Sequence, residues 1–361
     1  MKYALIGCGR ISANHIAAAQ MNDLEVVALC DIDFQKAESM KEKFFGENNK
    51  TKVYTDYKDM LSKEEVDLVA IATESGRHAE IAKHVISRRC NVIIEKPIAL
   101  SLKDADEIIA LAEEHNVKVC TCHQNRFNKS IQKIRKALEE EKFGRLYHGV
   151  ASIRWNRGRE YYEQAKWRGT WAQDGGTLMN QCIHNIDLLR WMMGEDIEEV
   201  VGVTDRLKHD YIEAEDLGIA IVRFKNGAYG IIEGTTNIYP RNLEETLCIF
   251  GEKGTVKVGG KSVNRIEEWL FLDDDSDAND IKKSFSEEPP NIYGYGHKPL
   301  YADMIEAICQ DRKPYVDAVS GRKALELVLA IYKASKTGEK VIFPLKDCST
   351  LEFRQMFDER I

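Results

Sequence analysis

The 361 residues exceed what one hydrophobic core organises, because single cores stop growing at roughly 250 to 300 residues, so two domains are expected. Hydrophobic residues supply 43% of the chain and charged residues 30%, the ordinary balance of a globular protein. A formal charge of -8 argues against a general binder of nucleic acid or of anionic membranes, which carries a basic excess, so any anion site must be local.

Met1 leads directly into an apolar run with no basic-then-apolar signal segment, and no apolar run reaches the length of a membrane span. The mature chain is expected to begin at residue 1 and to work in the cytoplasm. Nine cysteines, an odd number with no C-x-x-C pair, point to neither a disulfide framework nor a zinc ribbon and fit a reducing compartment.

Residues 3–6 read as a buried strand, followed by Gly7-Cys8-Gly9-Arg10-Ile11-Ser12 and a helical pattern that reaches His15 and Ala19. Strand, G-x-G, helix is the context of a dinucleotide fingerprint, in which glycines let the backbone approach a pyrophosphate at a helix N-terminus. Ser12 stands where a third glycine is usual, and a tight turn without ligand explains the motif taken alone. The next strand, 25–30, ends at Asp31. A carboxylate there accepts both ribose hydroxyls and repels the extra phosphate of NADP, so NAD is the expected cofactor; the plainer use of Asp31 is a helix N-cap.

Strands over 67–73, 91–95 and 117–121 alternate with helices over 77–87 and 102–115. Near-continuous apolar strands between helices mean a parallel sheet covered on both faces, and six strands at this spacing suit a Rossmann domain. Glu95-Lys96-Pro97 lies at the C-terminal end of a strand, where open α/β sheets bind ligands, and a cis Pro97 is expected to turn the chain there.

Past residue 121 the pattern changes. A helix over 129–140 precedes longer alternating strands over 145–155, 200–206, 216–224, 228–237, 246–250 and 255–258. Lys225-Asn226-Gly227 and Gly251-Glu252-Lys253-Gly254 supply hairpin turns. This is a mostly antiparallel sheet with one exposed face, expected to be covered by a second subunit in a homo-oligomer. Residues 261–297, with the acidic run Asp273-Asp274-Asp275-Ser276-Asp277, read mostly as a solvated loop. EF-hand spacing is not met, and no metal site is expected. Helices over 300–309 and 321–335 and a strand over 341–343 close the chain. The expected fold class is α/β: a Rossmann domain over 1–122, then an α+β domain with a largely antiparallel open-faced sheet over 123–361.

Residues 151–171 hold Arg154, Arg157, Arg159, Lys166 and Arg168 beside Trp155, Tyr161, Tyr162, Trp167 and Trp171. Guanidinium groups pair with phosphate or carboxylate oxygens and aromatic rings stack on a base or sugar, so in an acidic chain this segment reads as a small-molecule anion site. A solvated loop whose tryptophans fill the core is the plainer reading. Directly downstream, 174–191 reads as a helix after Gly175-Gly176, with Asn180, His184, Asp187 and Trp191 on one face. His184 taken alone is as well explained by a core histidine, and Asp187 and Trp191 keep the structural reading.

G-x-G-x-x-S after the first strand, Asp31 after the second, Glu95-Lys96-Pro97, and Gly175-Gly176 followed by His184 together resemble the Gfo/Idh/MocA oxidoreductase family. The stretch 166–194, with His123-Gln124-Asn125-Arg126-Phe127 and Pro240-Arg241-Asn242-Leu243-Glu244-Glu245, looks most like the branch that oxidises the 3-hydroxyl of UDP-linked N-acetylated aminosugar uronates in surface-polysaccharide synthesis. Thr73-Glu74-Ser75-Gly76-Arg77-His78 departs from the Thr-Pro that many members carry beside the nicotinamide.

The resemblance implies an NAD-dependent sugar dehydrogenase with Lys96 and His184 as its acid-base pair and His184 as the base. Asn180, which falls where many members have Asp, can only orient. It implies cofactor contacts from Gly7, Gly9, Arg10, Ile11, Asp31, Thr73, His78, Glu95, Lys96 and Gln124. Substrate contacts are implied for Lys96, Arg159, Tyr161, Trp167, Arg168, Asn180, His184 and Arg241. A dehydrogenase of a free polyol such as inositol, and a non-catalytic dinucleotide-sensing regulator, are the alternatives.

Overall fold

A computed structural model describes residues 1–46, 49–194, 196–272, 277–289 and 291–358. The chain divides into two compact units, Met1–His123 with His297–Arg322, and Gln124–Gly296 with Lys323–Ile361.

The first unit alternates strand and helix as β1 (Lys2–Ile6), α1 (Ser12–Met21), β2 (Glu25–Cys30), α2 (Phe34–Phe45), β3 (Lys52–Tyr54), α3 (Tyr57–Lys63), β4 (Leu68–Ile71), α4 (His78–Ser87), β5 (Asn91–Ile94), α5 (Leu102–His115) and β6 (Val119–Thr121). The strands form one parallel sheet in the order β3-β2-β1-β4-β5-β6. Tyr3 to Leu5 and Leu68 to Ile71 are fully buried, as strands covered on both faces require. The helices start where polar side chains cap them: Asp33, Asp56 and Ser101 accept from the first-turn N–H groups of α2, α3 and α5. β3 was not placed from the sequence, because three residues are too short to show alternation.

The expected domain boundary at 122/123 needs one correction, because the segment 297–322 belongs with the first unit. It contains α10, which follows α6 to α9 below and spans His297–Cys309. α10 packs on α1, and its Tyr301 hydroxyl meets that of Tyr3 at 2.9 Å. Val316 then accepts a backbone hydrogen bond from Thr121 at 3.0 Å, and Lys118 pairs with Asp311 at 2.6 Å. The segment's apolar and aromatic side chains find their partners on the Rossmann half, a preference that local sequence does not express.

The second unit holds α6 (Lys129–Glu139), β7 (Leu146–Arg154), α7 (Arg159–Glu163), a π-helical turn (Leu178–Cys182), α8 (Ile183–Met193), β8 (Ile197–Asp205), β9 (Leu217–Phe224), β10 (Tyr229–Thr235), β11 (Glu244–Gly251), β12 (Gly254–Gly259), β13 (Arg265–Phe271), α9 (Ala278–Ser284) and β14 (Val341–Ile342). A long helix, α11 (Ala318–Thr337), begins in the first unit and continues in the second. The eight strands run β13-β12-β11-β7-β10-β9-β8-β14, antiparallel except for the β7–β10 pair.

α8 lies on one face of this sheet, against β7, β10 and β11. On strands β8, β9 and β10 the side chains of Val201, Val203, Ile219, Ile221, Tyr229 and Ile231 are exposed, an apolar surface of the kind expected.

Residues 261–297 are not the open loop expected. β13 pairs antiparallel with β12 and buries Ile266 and Trp269, its alternation obscured by a register shift opposite Lys257 and Val258. Asp277 caps α9, while Asp273 to Ser276 of the acidic run lie outside the described residues. The helix expected after Gly175-Gly176 begins at Thr177, and its first turn is π-helical.

Candidate active site

In the first unit the turn after β1 is built for close approach. Gly7 has φ +96°, and a Cβ there would stand 2.5 Å from the backbone carbonyl of Ala72, so only glycine fits. Among the described residues, chain neighbours aside, nothing lies within 4 Å of the position a Cβ on Gly9 would take, which leaves room there for a ligand. Ser12 is buried, and its hydroxyl donates to the Gly9 carbonyl at 2.5 Å. The residue in place of the third glycine thus fastens the turn to the start of α1. Arg10 is exposed and Ile11 half-buried on the same turn.

Asp31 follows β2. Its Oδ2 accepts from the Cys8 N–H at 2.8 Å and its Oδ1 from the Asp33 N–H at 2.9 Å. Asp33, not Asp31, caps the next helix. A carboxylate clamped beside an open glycine turn fits the adenosine half of NAD, with Gly7, Gly9 and Asp31 the residues that would hold it.

At the end of β5 the Lys96–Pro97 peptide is cis, as expected. The Lys96 side chain is half-buried, and its backbone N–H donates to Glu95 Oε2 at 3.2 Å. Glu95, expected at the cofactor, is buried with its Oε1 2.9 Å from His15 Nε2. His78, also expected there, is buried with Nδ1 2.8 Å from the Pro97 carbonyl and Nε2 3.1 Å from that of Thr73. Burial pushes the pKa of this imidazole down, while both carbonyls oppose the shift. One ring therefore ties the Thr73 loop to the segment that carries Lys96.

The second unit opens at Gln124, buried on a 3-10 turn, Gln124–Phe127. Its chemistry gathers around the π-helical turn. The Asn180 amide donates to Asp174 Oδ1, and Asp174 Oδ2 accepts from the Gly169 N–H at 2.7 Å. The Gln181 amide donates to Asn180 Oδ1 at 2.5 Å and to the Tyr161 hydroxyl at 2.9 Å, while its own carbonyl accepts from Arg157 Nη2 at 2.8 Å. Guanidinium groups of Arg157 and Arg168 lie 5.2 and 4.2 Å from the Tyr161 ring centre. A narrow recess of about 10 Å³, room for about one water, is lined by Tyr161, Asp174, Gly175, Asn180, Gln181 and Glu215 among others.

Glu215 is fully buried in this unit, and its Oε1 accepts from the Leu178 N–H at 2.7 Å and the Tyr332 hydroxyl at 2.9 Å. Burial, outweighing those two hydrogen bonds, pushes its pKa up to about 8, so at neutral pH the group is mainly the uncharged acid.

Of the residues expected to meet substrate, Tyr161, Arg168 and Asn180 come together. Trp167 is half-buried beside Arg168, with the guanidinium 5.5 Å from its ring. Arg159 does not join them: it is exposed, 3.6 Å from Glu163 and 3.8 Å from Asp210. Arg241 is exposed on the loop between β10 and β11. His184 is half-buried in the first turn of α8.

The neighbours of His184 on that helix are structural. Asp187 holds the buried Arg126 through two hydrogen bonds of 2.6 and 2.7 Å, and Trp191 lies 4.7 Å under the same guanidinium. Trp155 and Trp171 are buried, as the plainer reading of their segment expected. Sequence reasoning missed Asp174, Gln181 and Glu215. The first two flank residues it did single out, but Glu215, one of two acids before an apolar strand, gave no signal of burial.

The first unit thus offers a nucleotide-binding turn and an amine at the C-terminal end of its sheet. The second offers an imidazole in the first turn of α8 and, around the π-helical turn before it, a network of amide, phenol and guanidinium groups, residue types suited to proton transfer and to recognition of an anionic, hydroxyl-rich molecule.

Comparison with known proteins agrees with this chemistry. Residues 1–123 match the profile of the oxidoreductase family with NAD-binding Rossmann fold, and residues 131–257 match the GFO/IDH/MocA C-terminal domain. The WlbA dehydrogenase of Bordetella pertussis, solved in complex with NADH and UDP-GlcNAcA, is 36% identical, with a TM-score of 0.88 over 96% of this chain and 98% of that one. The WlbA enzyme of Chromobacterium violaceum, solved with the same two molecules, is 34% identical, with a TM-score of 0.87 over 96% of each chain. Among curated relatives, myo-inositol 2-dehydrogenase of Thermotoga maritima is 28% identical over 261 residues, 71% of this chain and 74% of that protein.

Proposed function

The chain belongs to the Gfo/Idh/MocA oxidoreductase family, and from that premise we propose that it oxidises the 3-hydroxyl of a UDP-linked N-acetylated aminosugar uronate to the 3-keto sugar. That it is an NAD-dependent oxidoreductase follows from the family itself. The observation that carries the finer reading is the likeness, over nearly the whole chain, to two dehydrogenases solved with UDP-GlcNAcA. The guanidinium and phenol network around Tyr161 supports it, because a neutral free polyol gives several arginines nothing to neutralise.

In this reading His184 takes the proton of the reacting hydroxyl and Lys96 shares the acid-base work. The Asn180 amide, which cannot accept a proton and is held by Asp174, orients the sugar. Arg168, Tyr161 and Trp167 hold the uronate, diphosphate or base. NAD, when bound, takes up the hydride from the alcohol carbon.

The exposed apolar face of β8 to β10 is the surface of a homo-oligomer. Nine free cysteines among the described residues suit a reducing cytoplasm, and among those residues no helix is long and apolar enough to cross a membrane.

The likeness to a myo-inositol 2-dehydrogenase sustains a second reading, oxidation of a free polyol. Purified protein mixed with NAD and either UDP-N-acetylglucosaminuronate or myo-inositol, with the absorbance of reduced cofactor followed, separates the two. Reduction with the nucleotide sugar alone is expected. Reduction with inositol alone would replace the proposal, and NAD binding without turnover of either would point to a dinucleotide-sensing regulator.

A further inference from the structure

Four side chains able to ligate metal converge inside the first unit. His15 comes from α1, Glu95 from the end of β5, Cys122 from the residue after β6, and His297 opens α10; all four are buried. One donor atom from each lies within 4.8 Å of all the others. His15 Nε2 is 2.9 Å and His297 Nε2 3.8 Å from Glu95 Oε1. We propose that these four residues form a buried site for a divalent transition-metal ion, with zinc the preferred occupant.

The spacing and the donor set both suit that ion. A tetrahedral zinc centre with bonds of about 2.0 to 2.3 Å sets its donor atoms about 3.3 to 3.8 Å apart, so small movements bring this cluster to coordination distance. Two imidazoles, a thiolate and a carboxylate are ligands of the zinc class, where calcium or magnesium would call for oxygen alone. The thiolate and carboxylate would neutralise the dication, leaving no net charge in an apolar interior.

Ordinary hydrogen bonding accounts for only part of the cluster. A chain of hydroxyls from Tyr3 to Tyr301 at 2.9 Å, and from Tyr301 to His15 Nδ1 at 2.7 Å, ends on Glu95 and satisfies His15. His297 is different: both of its ring nitrogens are buried, and among the described residues neither has a partner within hydrogen-bonding distance, Nε2 facing Glu95 Oε1 only at 3.8 Å. Buried polar atoms left in this way call for an explanation, and a metal bond would supply one for Nε2. Tyr301, bonded to His15 Nδ1, then acts as the outer partner that fixes the ring with Nε2 toward the ion. The ligands lie at positions 15, 95, 122 and 297, so no local spacing motif betrays the site in the sequence. Its consequence is mechanical, because an ion held by Glu95 anchors the strand end that presents Lys96.

The test uses the full-length protein without a polyhistidine tag, stripped of metal and then supplied with zinc or cobalt(II). About one equivalent of zinc should survive gel filtration, and the cobalt form should show thiolate-to-metal charge-transfer absorption. Cys122→Ser should abolish that absorption, and His297→Ala, which removes a direct ligand, should weaken zinc binding by at least the roughly hundredfold that loss of an outer partner can cost. X-ray absorption of the zinc-loaded parent should show one sulfur among nitrogen and oxygen neighbours, a readout that stands even if either variant fails to fold. Failure of the parent to retain zinc, or a zinc sphere without sulfur, would overturn the proposal. Neither result bears on which sugar is oxidised.

Discussion

The carboxylate of Glu215 occupies the space that any side chain on Gly176 would need: a Cβ at residue 176 would lie 1.4 Å from Glu215 Oε2. The second glycine of the Gly175-Gly176 pair is therefore set by a buried acid, and the pair's place before Asn180 follows from what stands behind it. Asn180 in turn donates its backbone N–H to the Gly176 carbonyl at 2.9 Å.

Gly176→Ala should accordingly displace Glu215 or the π-helical turn. Overpacking of this kind costs typically about 1 to 3 kcal/mol, to be read as a lower melting temperature, with a larger proportional loss of kcat than a distant surface change of equal stability cost. Normal stability and turnover in this variant would show that the acid is free to move aside.

Stability should depend on pH through the same acid. Below its ordinary value of 4.5 Glu215 is protonated in both states, but above it the unfolded chain ionises while the folded group stays neutral until about 8. The unfolded state then binds fewer protons, so stability present in full below pH 4.5 declines as pH rises and levels off beyond about 8. Glu245, likewise pushed up to about 8 by burial, adds to the decline. Glu215→Gln keeps the shape without the ionisation and should remove its own share, on the order of a few kcal/mol, in denaturant titrations at pH 5 to 9 (roughly the window between the two states). Asp216 works in the opposite window. Burial raises its pKa, but hydrogen bonds from His209, Asn237 and the N–H groups of Leu207 and Lys208 more than offset this, so its contribution is lost as pH falls below 3.8.

Asp187→Ala should destabilise rather than disarm. It would leave Arg126 without its carboxylate in a buried setting, and breaking such a pair typically costs about 3 to 5 kcal/mol. A melting curve measures this. KM for substrate at a temperature where the variant remains folded should stay near that of the parent, and a rise in KM would move Asp187 into the binding site.

Lys96→Met and His184→Asn should each lower kcat by at least about a hundredfold, the usual scale of acid-base catalysis, while NAD still binds by fluorescence titration. Near-parent rates in both would sink the proposed roles of the pair.

What could be read from the residues follows from how locally each feature is determined. The buried strands around Leu5, Val69 and Ile93 are unbroken apolar runs, and the glycine turn with Asp31 is a short-range pattern, so the Rossmann half was legible. The plain structural assignment of Asp187 and Trp191 also held, because a helical face shows which side chains stand together. β13 was hidden by a register shift, and the return of 297–322 to the first unit depends on partners such as Tyr3 that are remote in sequence. The exposed Arg159, 3.8 Å from Asp210, shows what composition does not fix: whether a guanidinium in an aromatic, basic segment lies with the Tyr161 cluster or apart from it.

The hydroxyl contact between Tyr3 and Tyr301 spans 298 positions, and this has a kinetic meaning during synthesis. The emerging Rossmann half cannot complete its interior until α10 has left the ribosome, by which time nearly all of the second unit has already been made. Contacts of such long sequence separation form late and slowly. The nascent chain therefore passes through a period in which the α1 surface that α10 will cover is bare, and a chaperone that shields this surface should raise the yield of native protein more than one acting after release.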